Sequence, residues 1–191
     1  MKDLYREYIS STPEKRVDIV LNNYNRFLKM VNSITEGILF MLREEMESNI
    51  RASRGENVGG RSSNISDPTY VKAVKSVILR DAFIECDFSS GILDFTDHPS
   101  FFEERAEGLS RMRKDYGLVE SMVNDLEDDE KELFFSIMVN KKKIQDIADE
   151  NLLSYNAIYS RLFRIKATVK ENTLLYYEGK ILLEEEDEDD E

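Results

Sequence analysis

One stretch of an otherwise acidic chain is crowded with cations: Lys141, Lys142, Lys143, Arg161, Arg164, Lys166 and Lys170. Set against Asp146, Asp149 and Glu150, they leave residues 141–170 at seven minus three, or +4, while the 191-residue chain stands at −13. Cations that flank a duplex neutralise phosphates and release counterions. They fix register but carry no sequence information. Interleaved with them are Tyr155, Asn156, Tyr159, Ser160 and Phe163. On a helix these five share an outward face, with the length and polarity to reach base edges in a major groove. The chemistry implied is binding of double-stranded DNA, with Ser154 and the seven cations as phosphate contacts.

The elements that would position those groups can be read from apolar spacing. Segment 128–139 buries Leu133, Phe134, Ile137 and Met138. Segment 143–150 carries Ile144, Ile147 and Ala148, and segment 154–172 carries Ile158, Leu162, Ile165 and Val169. Between the last two lie only Asn151, Leu152 and Leu153, and Ser154 stands where a helix cap belongs. A short helix, a tight connection and a longer capped helix make a helix-turn-helix. Its core would be Ile147, Ala148, Leu153, Ile158 and Leu162, with Ala148 small because the helices cross there. The plainer alternative is that the cations merely solvate a three-helix bundle.

The segment LEDDEKELFFSIMVNKKKIQDIADENLLSYNAIYSRLFRIKATV, residues 126–169, resembles region 4 of sigma-70-type factors. The shared features are the acidic lead-in, Asp146-Ile147-Ala148, Ser154, and Ser160-Arg161-Leu162 followed by Arg164. The family places a glycine where Leu152 stands and an apolar residue where Asn151 stands, which predicts a tighter turn or a shifted second helix. Gly59-Gly60 and Ser66-Asp67-Pro68-Thr69, lying between a long first helix and this module, are similar to phage and prophage transcriptional regulators of the ArpU and RinA kind. That resemblance implies a cytoplasmic activator of late phage genes. No tryptophan-containing promoter-melting segment is present, so the chain does not resemble a complete sigma factor.

The rest of the chain reads as helical. Thr12 as cap, Pro13 at the first position and Glu14 in the first turn open a long helix over about 13–50. Its seam is Val17, Val20, Tyr24, Phe27, Val31, Ile34, Ile38 and Met41, widened by Leu21, Leu28 and Leu42. That stripe suits either a core-facing side or a dimer interface. Residues 51–67 are rich in glycine, serine and asparagine and read as a linker. Its Arg51, Arg54 and Arg61 would be solvated or would track a phosphate backbone. Asp67-Pro68 opens a second helix with Val71, Val74, Val77 and Ile78 inward, and Phe83 and Ile84 as further candidates. Ser100 would cap a third, facing inward through Leu109, Met112, Tyr116, Val119, Met122 or Val123, and Leu126, with a break expected near Gly108 or Gly117. The expected fold is all-α, a helical bundle with a long N-terminal helix and a C-terminal helix-turn-helix. Its divisions are 1–50, 51–67, 68–125, 126–172, and an extension at 173–191, helix or hairpin, that ends in a disordered acidic tail.

Composition narrows the function classes. Acidic residues number 39 and basic ones 26, but residues 184–191 are all carboxylates, and without them the count is 31 against 26. That tail reads first as a solvated end, with contact to a basic partner or competition for the basic face, which would lower non-specific DNA affinity, as alternatives. A single cysteine, Cys86, excludes an intrachain disulfide and reads as a small core residue. Asp94, Asp97, His98, Glu103 and Glu104 match no metal-ligand spacing and read as loop and cap groups. No phosphate loop, nucleophile elbow or paired catalytic acid is present, so neither an enzyme nor a cofactor is expected. No apolar run is long enough to span a membrane. Two-fold half-sites would favour a dimer. Two other classes fit the same elements: a ring-forming small terminase subunit that packages DNA, and a sigma-like module that binds RNA polymerase.

Overall fold

The computed structural model describes residues 2–53 and 68–188, with side chains described over 4–52 and 76–179. The described residues are all-helical: α1 Lys2–Ile9, α2 Pro13–Asn22, α3 Phe27–Ser53, α4 Pro68–Glu85, α5 Pro99–Asn124, α6 Asp128–Met138, α7 Ile144–Glu150 and α8 Tyr155–Glu188. They fall into two compact units, Met1–Met30 with Arg113–Glu191, and Val31–Met112. These units do not follow the boundaries read from the sequence. The apolar stripe of α2 (Val17, Val20 and Leu21) is buried, and α2 packs on α8, so the N-terminus joins the C-terminal helices.

The first unit holds the candidate site. Tyr24 and Tyr116 stack with ring centroids 5.4 Å apart, and the edge of Phe134 meets Tyr24 at 5.1 Å. Phe27 lies parallel to Tyr116 at 6.0 Å, so aromatic pairs carry much of this core. A buried polar group sits beside it. Asp115 accepts hydrogen bonds from the Tyr8 hydroxyl and, at 3.0 Å, from Arg16 Nε. The Arg16 guanidinium also lies over the Tyr8 and Tyr177 rings, at 6.0 and 5.8 Å. Burial first, and then the Asp115 carboxylate, push both phenols well above the ordinary tyrosine range.

In the second unit Val31, Ile38, Leu39 and Leu42 of α3, Leu79 and Phe83 of α4, and Phe102, Ala106, Leu109 and Met112 of α5 are buried. Glu45 fixes the loop that enters α5. Its Oε1 accepts from the Thr96 hydroxyl, from Asp97 N at 2.7 Å and from His98 N at 3.2 Å, with His98 Nδ1 also at 3.2 Å. The Thr96 bond foremost, with the backbone donor at Asp97, holds the Glu45 carboxyl below its usual range.

Several sequence expectations are corrected. The helix expected over 13–50 is two helices, interrupted at 23–26. Asn23 causes the interruption: its Nδ2 donates to Ile19 O at 2.8 Å, and its Oδ1 accepts from Arg26 at 2.7 and 3.0 Å. A side chain that satisfies the backbone in this way competes with helix continuation. Beyond the break, Met41 and Leu28 are exposed while Leu39 and Leu42 turn inward. On α4 the inward residues are Leu79 and Phe83, whereas Val77 and Ile78 face solvent; the side chains of Val71 and Val74 lie outside the described residues. Helix α5 starts at Pro99, so Ser100 lies inside the helix, which then runs unbroken past Gly108 and Gly117. Its predicted inner face does hold, with Leu109, Met112, Tyr116, Val119, Val123 and Leu126 buried. Cys86 is half-buried at the end of α4 with φ 56°, rather than in the core. Arg51 belongs to α3 and pairs with Glu47 at 3.0 Å. Asp67, Arg54 and Arg61 lie outside the described residues.

Candidate nucleic-acid interface

The C-terminal segments form α6, α7 and α8 within a residue or two of their expected starts. Helix α7 packs on α8, and α6 packs on α8 as well. Their shared core contains Ile147, Ala148, Ile158 and Leu162, with Ala148 fully buried. The spacing places Leu153 there too, but it is 49% exposed. Its amide donates to Ala148 O at 2.9 Å, which holds the backbone of the connection against the end of α7.

The connection is held by local chemistry. Asn151 donates through Nδ2 to Ile147 O at 2.8 Å and so satisfies a carbonyl at the end of α7. Leu152 then takes φ 54°, the left-handed conformation that glycine adopts at least cost. With its side chain 94% exposed, Leu152 clashes with nothing, but it keeps the backbone penalty. Ser154 caps α8, its Oγ accepting from Ala157 N at 3.2 Å. The turn thus keeps a glycine-like path without glycine.

The five candidate base-reading residues come together as expected. Tyr155, Asn156, Tyr159, Ser160 and Phe163 are all exposed on one side of α8. The Tyr155 and Tyr159 rings stack at 6.3 Å with an interplanar angle of 12°. Tyr159, Ser160, Phe163 and Arg164 line a shallow open depression.

The candidate phosphate contacts separate into two groups. Lys141, Lys143 and Arg164 are exposed and form no ion pair with any described residue. Arg161 pairs with Asp129 of α6, and Lys142 with Glu150 at 2.6 Å. Lys170 Nζ reaches Asp18 of α2 at 2.7 Å, and Lys166 Nζ reaches Asn22 Oδ1 at 3.5 Å. Burial lowers the Lys166 ammonium pKa below its ordinary value, as expected for a cation turned into the protein. Lys166 and Lys170 therefore tie α8 to α2 and are not presented with the exposed face. Sequence reasoning misses this because their partners lie more than a hundred residues away, and no local pattern announces such pairs.

Among the described residues no helix is long and apolar enough to cross a membrane, and no group of three or more His, Cys, Asp or Glu side chains is placed to hold a metal. Compared with family models, curated proteins and solved structures, the chain matches none.

Proposed function

We propose that α7, its turn and α8 form a helix-turn-helix that reads double-stranded DNA through the major groove, in a cytoplasmic transcription regulator of the phage or prophage late-gene kind. The observation that carries this reading is the outward face of α8. It presents Tyr155, Asn156, Tyr159, Ser160 and Phe163 at the N-terminal end of a capped helix, where base-reading residues belong. Lys141, Lys143 and Arg164 supply cations that the fold does not consume. A dimer would present two such faces to two half-sites.

A second reading draws on one observation. Leu152 and Leu153 are 94% and 49% exposed beside that face, an apolar edge that suits a protein partner such as RNA polymerase.

Binding of the full chain to duplex DNA across a salt series separates the two. Replacing Lys141, Lys143 and Arg164 together with alanine should flatten the slope of log affinity against log salt by roughly 0.9 for each phosphate left without its cation. Lys166→Ala and Lys170→Ala should leave that slope as it is. An unchanged slope in the triple variant would move the phosphate contacts off these three cations, whereas a full chain that binds no duplex anywhere in the salt series sinks the DNA reading and makes the polymerase partner the better account.

A further inference from the structure

Resting on the DNA reading above, we infer that the site read by α8 is an A·T-rich major-groove sequence, recognised through thymine methyl groups and adenine rather than through guanine.

The residues available on the face decide this. Guanine is read most often by Arg or Lys, bidentate to O6 and N7. The first two turns of α8, Tyr155 to Leu162, hold one cation, Arg161, and the Asp129 carboxylate engages it. Arg164, exposed beside Ser160 and Phe163 at the edge of the face, is the one uncommitted cation there among the described residues, and we assign it to a phosphate. Lys166 and Lys170 are tied to Asn22 and Asp18. No acidic side chain stands among the five reading residues to accept from cytosine N4.

What remains on offer is different chemistry. Asn156 is exposed, and its amide is the group that pairs bidentately with adenine N6 and N7. Tyr159 and Phe163 are 53% and 67% exposed, one helical turn apart on the same side, with Ser160 beside them. Exposed aromatic carbon in a major groove finds one apolar partner there, the thymine C5 methyl. Burying that methyl removes from water both the methyl group and ring surface that the fold leaves wet.

The test starts from a pool of random duplexes selected on the full chain. A selected duplex is then remade with deoxyuridine for thymidine, which deletes the methyls and leaves every Watson–Crick pair. The expected selected core is A·T, and deoxyuridine should weaken binding about fourfold per contacted methyl, the transfer value of one buried methyl group. Phe163→Ala, at an exposed position outside the helical core, should abolish part of that sensitivity. Replacing adenine by 7-deazaadenine should weaken the wild-type chain and leave Asn156→Ala unaffected. A selected core of G·C pairs, or one indifferent to deoxyuridine, overturns the inference while leaving DNA binding intact. Failure to select any duplex overturns the DNA reading itself.

Discussion

Two stretches of α8 carry the same kinds of side chain to different ends. Over residues 155–164 the tyrosines, the phenylalanine and Arg164 face solvent. Over residues 166–177 the cations and a tyrosine are consumed by the fold: Lys166 on Asn22, Lys170 on Asp18, and Tyr177 against Arg16. Residue type alone does not separate the two, because both are basic and aromatic. The difference is whether α2 lies opposite. The middle of α8 is engaged by α2, while the outward side of its capped end stays exposed.

The consumed stretch yields the largest expected effect. Asp115 is 5% exposed as a side chain and Arg16 14%, so the pair is shielded from water. Asp115→Ala would leave the Arg16 guanidinium without its counter-charge and the Tyr8 hydroxyl without its acceptor. Breaking a buried pair from one side costs about 3–5 kcal/mol. The drop should appear in urea denaturation as a lower midpoint. A loss under about 1 kcal/mol would mean that water reaches the site and that the two stretches differ less than their burial implies.

A smaller effect sits at the boundary of the free stretch. Leu152 holds a left-handed backbone with its side chain almost wholly in water, so Leu152→Gly relieves strain and removes no packing. The left-handed penalty is roughly 1–2 kcal/mol, and glycine returns part of it as unfolded-state entropy, so a net gain of about 0.5–1 kcal/mol is expected. Thermal unfolding would register the gain. A loss of stability would instead show that Leu152 packs within the folded chain in solution, which would remove the exposed apolar edge on which the polymerase reading rests.

Much of this arrangement is legible in the sequence because it rests on local rules. Ala148 at the crossing, the Ser154 cap and the apolar spacing of Ile158, Leu162, Ile165 and Val169 are short-range signals, and each holds. Asn23 is a legible breaker that the continuous apolar seam outweighs, because helix periodicity survives a turn that keeps phase. The fates of Lys166 and Lys170 are not legible, since their pairing depends on which distant carboxylate or amide the packing brings near. Leu153 is misplaced by its spacing as well: the connection leaves it 49% exposed, with its amide bonded to Ala148 O.

The smallest effect concerns the acidic residues 184–191, for which competition with DNA for the basic face is one reading of the sequence. The backbone of α8 continues as helix through Glu188, so 173–183 is helix rather than hairpin, while residues 189–191 lie outside the described residues. Along that helix Glu184 follows Arg164 by 184 − 164 = 20 residues. At 1.5 Å per residue the separation is about 30 Å. The screening length is about 8 Å at physiological ionic strength and about 30 Å at 0.01 M. Deleting residues 184–191 should therefore change duplex affinity by less than about twofold at physiological salt, and raise it only near 0.01 M. A severalfold gain at physiological salt would mean that the carboxylates reach back to the reading face. The end of α8 would then have to unwind in solution, and the free stretch would no longer be free.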